Sequence, residues 1–214
     1  MLTKDVLNLS KILLDGDHQT AINFVNNHGY SSRFSVYNDL LTPAMRYVGE
    51  LWENNEITVA DEHLATATCD FVLSRLFPST QTNISKKKAM FFCLEGEQHY
   101  IGLKMVNSLF EEYEWDTQYY GSNLPLEYAL KNAEKWKPDL VGISVTIVYH
   151  LSMLEDYTKA FASLASPPIL MVGGRLTERY NIQDYCTGEP IILNNLSDVK
   201  VWLNRYGMGA SMNV

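Results

Sequence analysis

The chain has 214 residues, 46% of them hydrophobic and 20% charged, with a net charge of −8. That is enough apolar content to bury one large core or two small ones. The acidic balance opposes binding to phosphate backbones, and no apolar run approaches the ~18 residues that a bilayer span needs.

Residues 1–78 read as a four-helix bundle cap. The first segment, Asp5 to Asp17, places Val6, Leu9, Leu13 and also Leu7, Leu14 at helical spacing. It is amphipathic and lacks a cleavage-site signature, so it is not read as a signal peptide. Gly16 and the Asn26–Ser32 stretch interrupt the pattern. A third helix follows from Phe34 to Asn55, with a kink or an early break expected at Pro43. A fourth runs from Thr58, whose spacing to Asp61 matches a capping box, to a stop at Pro78.

Residues 79–88 are polar and aperiodic, and read as a linker. The run Lys86-Lys87-Lys88 reads as a solvated strand entrance. Residues 89–214 then alternate short apolar runs (89–95, 116–121, 139–145, 168–174, 190–194) with helical segments at 100–113, 125–136, 150–165 and 196–206. That alternation predicts an α/β domain, a flavodoxin- or Rossmann-like parallel sheet covered on both faces. Ligands of such sheets bind at the carboxyl ends of the strands. Cys69, Cys93 and Cys186 are too few and too far apart for a disulfide scaffold or a zinc knuckle, so reduced thiols and a cytoplasmic setting are expected.

Three short motifs fall at predicted strand ends: Glu97-x-His99-x-x-Gly102, Ser144-Val145-Thr146 and Gly173-Gly174. Residues 103–143 separate the first two and residues 147–172 the last two. The set resembles the fingerprint of the cobalamin-binding domain family, D-x-H-x-x-G, S-x-L and G-G, in order and in spacing. The resemblance implies that His99 ligates cobalt in place of the cofactor's own base, a role imidazole suits. Glu97 would accept the other ring N–H of His99, directly or through water. Gly102, Gly173 and Gly174 would let the displaced nucleotide tail pass close to the backbone, and Ser144 would hydrogen-bond its base. Two positions depart from the pattern. Glu97 stands where the family has aspartate, and Thr146 stands where it has leucine, adding a hydroxyl to the tail slot. The loop from Tyr119 to Ala129 also resembles the family's segment after its second strand. His18, His28 and His150 read as structural or surface residues.

In the cap, Trp52 is followed by Glu62-His63, a W-x9-E-H pattern. It resembles the cobalamin-dependent photoreceptors of the CarH and LitR type. There the bundle covers a light-cleavable adenosyl group. Carried over, Trp52, Glu62 and His63 would form the roof above the corrin, with Val59 one helical turn before His63 on the same face. Two features differ. The chain opens at the cap without a helix-turn-helix, so direct nucleic-acid binding is not expected. Glu53 also occupies the position of the histidine that binds cobalt after illumination.

These readings leave a stand-alone cobalamin sensor, most simply a light sensor that signals to a partner protein, as the first expectation. A corrinoid carrier for methyl transfer is the alternative, and a receptor with an added bilin a second one. None of these is itself an enzyme. Adenosylcobalamin is the expected cofactor, with methylcobalamin or a bilin left open. Membrane attachment is not expected, and a homo-oligomer is left open.

Overall fold

The computed structural model describes residues 2–77 and 87–206, and divides into two units at residues 79 and 80. In the first unit, α1 (Lys4–Leu14) begins where the Thr3 hydroxyl accepts from Val6 N. It buries Val6, Leu9 and Leu13, while Leu7 stays 41% exposed. Of the two apolar sets in the sequence, only one therefore faces the core. Gly16, at φ +74°, turns the chain closely past Leu64. α2 (His18–Asn27) is capped by Asp17, whose carboxylate accepts from the Thr20 amide and hydroxyl.

The third helical stretch corrects an expectation. A short α3 (Arg33–Ser35) runs into a π-helical segment (Val36–Leu41) and on into α4 (Thr42–Glu53) without a break. The wide π turn lets Thr42 N bond to Tyr37 O. Pro43 then falls in the first turn of α4, directly after the wide π turn. α5 (Val59–Leu76) starts at the expected capping box. The Thr58 hydroxyl accepts from Asp61 N, and Asp61 accepts from Thr58 N at 2.8 Å. Its buried face carries Ala65, Thr68, Cys69, Val72 and Leu73. The expected stop at Pro78 and most of the expected linker lie outside the described residues, while Lys88 at the linker's end is already strand.

The second unit is a five-stranded, all-parallel sheet in the order β2-β1-β3-β4-β5. Its strands are β1 (Lys88–Leu94), β2 (Asp116–Leu124), β3 (Leu140–Ser144), β4 (Ile169–Gly173) and β5 (Ile191–Leu193). The crossovers are α6 (Ile101–Glu112), α7 (Leu126–Trp136) and α8 (Leu151–Ala162), and α9 (Leu196–Tyr206) closes the unit. The link from β4 to β5 carries two 3-10 turns, Arg175–Glu178 and Ile182–Tyr185, in place of an α-helix.

Alternation along the strands sorts side chains to the two faces. Met90, Phe92 and Leu94 join Val141, Ile143, Val145 and Val172 in a core with Tyr157 and Phe161 of α8. Burying a ring such as Phe92 or Phe161 contributes on the order of 2–3 kcal/mol. On the other face Phe91 packs edge-on against Phe110 of α6, which stacks on Trp202 of α9. β2 is longer than predicted. It bulges opposite β1 between Phe91 and Phe92 and again before Leu94, which carries its polar end past Gly121.

Candidate functional site

The carboxyl ends of the strands line up in register. Cys93 pairs with Ser144, Ser144 with Gly173, and Gly173 with Leu193. Directly above this row stands the loop between β1 and α6, which carries His99. The loop is tied down on several sides. Gly96 N donates to the Asn123 side chain at 2.7 Å, and Asn123 N donates to Glu97 O at 3.0 Å. The Tyr157 hydroxyl accepts from Glu95 N and donates to Leu124 O. Asn123 takes a positive φ of 56° and Gly96 one of 81°, conformations that Asn and Gly accept readily.

Glu97 is fully buried and gathers five donors. Its Oε1 accepts from His99 N at 3.0 Å and faces His99 Nδ1 at 2.6 Å. Its Oε2 accepts from Thr146 N at 2.8 Å and Ile147 N at 3.1 Å, and faces His150 Nδ1 at 3.3 Å. Burial by itself raises its pKa, but the hydrogen bonds from His99 and Thr146 outweigh it and hold the carboxyl well below the usual range. The longer side chain of glutamate thus reaches the histidine directly, with no water needed. A carboxylate on Nδ1 places the ring proton there and leaves the Nε2 lone pair free. The His99 side chain is 50% exposed, so that nitrogen is available to a ligand.

His150 also packs into this cluster, where its ring faces Glu97. It is 14% exposed, and its ring packs on Gly96, where a Cβ would come within 3.0 Å of Nε2. Nothing in the sequence around His150 marks this role. Asn123 was within reach, since it lies in the loop singled out before Pro125.

The glycines divide into two kinds. At Gly102 an added Cβ meets nothing within 4 Å, so space lies above the start of α6. Gly173 has only Leu193 nearby, its carbonyl oxygen at 3.5 Å and its Cβ at 3.9 Å. Gly174 is different. Its φ is +130°, and a Cβ would sit 2.0 Å from Val145 O. The protein's own backbone demands this glycine, whatever passes beside it.

Ser144 is buried at the end of β3 opposite Cys93, whose thiol donates to His99 O at 3.7 Å. Burial, followed by the Glu97 charge, pushes that thiol up to about 12, against the pull of Ser144. The Thr146 hydroxyl is close enough to Glu97 to help lower its pKa, yet forms no hydrogen bond of acceptable geometry.

In the helical unit, Trp52, Val59 and the His63 side chain are 46%, 53% and 76% exposed. Glu62 Oε2 lies 2.7 Å from His63 Nδ1, repeating on a surface helix the pairing of Glu97 with His99. None of these side chains belongs to the bundle's buried core.

Residues 7–76 and residues 87–189 each match a family model, and both are described as B12 binding domains. The chain carries two B12 binding domains. The fold is shared with the monomethylamine corrinoid protein of Methanosarcina barkeri at a TM-score of 0.74 and 18% identity, over 92% of this chain and 96% of that one. A cobalamin-binding protein from Desulfitobacterium hafniense DCB-2 aligns at a TM-score of 0.50 and 18% identity, over 94% and 98%. No curated protein matches. Neither structure is named as a photoreceptor, and the likeness of Trp52, Glu62 and His63 to light sensors rests on those residues alone. No helix among the described residues is long and apolar enough to cross a membrane.

The side chains present fit a corrinoid in the second B12 binding domain. His99 offers one oriented imidazole, Gly102 borders open space, and Thr146 presents a buried hydroxyl with no partner.

Proposed function

We propose that the protein is a corrinoid carrier for methyl transfer, with His99 as the cobalt ligand of its second B12 binding domain. The observation that carries this reading is the Glu97–His99 pair. A fully buried carboxylate fixes the ring, and the opposite nitrogen stays half-exposed. When bound, the corrinoid supplies a cobalt centre that can accept and release a methyl group.

The protein's own part is ligation and access. Glu97 keeps the Nδ1 proton on His99 and turns Nε2 outward as the ligating nitrogen. Asn123, Tyr157 and the Thr146–Ile147 amides hold the loop that carries it. Two features support the carrier over the light sensor. The end-to-end likeness in fold is to a protein named as a corrinoid protein. Glu53 also stands where the sensors have their locking histidine. A carrier must meet a methyl donor and a methyl acceptor in turn, so protein partners on both sides are part of the reading.

One observation favours a second reading. Glu62 orients His63 as Glu97 orients His99, which leaves a second imidazole nitrogen available on the cap. In a light sensor, His63 would serve after loss of the upper adenosyl group.

The test uses the whole chain loaded with cobalamin. For a carrier, the chemically reduced protein takes a methyl group from an alkylating donor nearly as fast as free cobalamin does. The adenosyl-loaded protein also elutes at one volume before and after green light. Blocked methylation, together with a light-dependent change in size, would reject the carrier and favour the sensor.

A further inference from the structure

We propose that Asn123 is a positioning residue for His99: it locks the turn that carries Glu97 in one of two peptide orientations, and so presents the ring ready to ligate. The role of the ring rests on the cofactor reading above, while the lock itself can be read without a cofactor.

Leu94 to Glu97 form a tight turn, closed by Glu97 N donating to Leu94 O at 3.0 Å. Gly96 holds a φ of +81° and Glu95 a negative one, which makes the turn type II. Types I and II differ by a flip of the peptide between the two central residues, here Glu95 and Gly96. Glycine accepts either orientation at little cost. The turn's own sequence therefore leaves two states open. What selects one of them is the N–H of that central peptide: Gly96 N donates to Asn123 Oδ1 at 2.7 Å. A flip points this N–H away from Asn123.

β2 is shaped to deliver this bond. Its ladder with β1 passes from the Phe92–Gly121 pair to the Leu94–Leu124 pair, so Ser122 and Asn123 stand opposite Cys93 alone. Such a bulge beside a site re-aims a side chain. Asn123 also takes a left-handed φ of 56°, which asparagine accepts more readily than most residues. The result is a grip on both sides of Glu97. The Asn123 side chain receives the N–H of the residue before it, and the Asn123 amide donates to Glu97 O at 3.0 Å. Glu97 in turn holds His99 Nδ1 at 2.6 Å. A turn that samples both states presents the ring correctly only part of the time, and the apparent affinity falls by that fraction.

Asn123 is exposed, so its replacement leaves the core intact. Asn123→Gly keeps the left-handed backbone and removes the acceptor, while Asn123→Asp keeps both. The experiment follows the ring protons of the full-length apoprotein, labelled with ¹⁵N-histidine, by nuclear magnetic resonance. It also measures affinity for hydroxocobalamin and the melting temperature. The parent should show a slowly exchanging proton on His99 Nδ1, identified by its loss in His99→Ala. Asn123→Gly should lose that protection, bind hydroxocobalamin roughly tenfold more weakly, and melt within about 4 °C of the parent. Asn123→Asp should restore the proton and the affinity. A proton and an affinity that Asn123→Gly leaves unchanged overturn the proposal. Weaker binding with the proton still protected also overturns it, because Asn123 then acts elsewhere than on His99. So does a larger drop in melting temperature that Asn123→Asp fails to reverse, since the residue then only holds the fold. A parent that binds no hydroxocobalamin removes the cofactor reading, while the ring proton still decides the lock.

Discussion

Glu97 Oε1 and His99 Nδ1 lie 2.6 Å apart, and the same carboxylate reaches across to the Thr146–His150 turn through its other oxygen. One buried side chain therefore fixes the ring and joins the two loops at the sheet end. The charge is compensated by donors on all sides, which is the condition under which a buried carboxylate is tolerated.

Removing that carboxylate strands its donors. Glu97→Ala should destabilise the second unit by about 3 kcal/mol, and should weaken corrinoid binding by about 10–100-fold. Denaturant unfolding and a spectroscopic titration measure the two effects. A variant with parental stability and affinity would remove Glu97 from its central place.

The glycines should respond in opposite ways. Gly174→Ala forces a Cβ against Val145 O at a positive φ, and is expected to cost at least about 3 kcal/mol of stability. Gly102→Ala meets no atom, so the apoprotein should stay within about 1 kcal/mol of the parent. Its corrinoid affinity should still fall, because the added methyl group enters the space the ligand needs. Equal stability losses in the two variants would contradict this division.

High pH should loosen the fold through Cys93. Its thiol is pushed up to about 12 from an ordinary value of 9.0, so the folded state resists forming the thiolate. The unfolded chain ionises first. Stability from this group is complete below pH 9 and is lost between pH 9 and about 12, by up to about 1.4 kcal/mol per pH unit. Cys186, pushed up to about 11, adds a share of the same sign. Urea unfolding on either side of pH 9 should show the decline, and Cys93→Ala should make it shallower. An unchanged slope in that variant would mean the thiol is not held as the structure has it.

Much of this architecture was legible in the chain. The five apolar runs became the five strands because a parallel sheet buried on both faces needs nearly continuous apolar sequence. Thr58 and Asp61 formed their capping box because that bond is local. The parts that were not legible depend on distant partners or on backbone detail. His150 reaches Glu97 across 53 positions of chain. The π segment that carries Pro43 through its helix leaves no mark in apolar periodicity. The polar end of β2 is strand only because β1 supplies its ladder. The close approach of Gly174 to the Val145 carbonyl likewise depends on a segment distant in the chain.

The most direct test of the account is paramagnetic resonance of the protein-bound corrinoid, with the cobalt reduced to its one-unpaired-electron state and the protein grown with ¹⁵N-histidine. Coordination by His99 predicts that each cobalt line splits into a doublet from the labelled ring nitrogen, and that His99→Ala loses this splitting. Triplets that persist in the labelled protein would show that the cofactor's own base still holds the metal, and would contradict the assignment of His99.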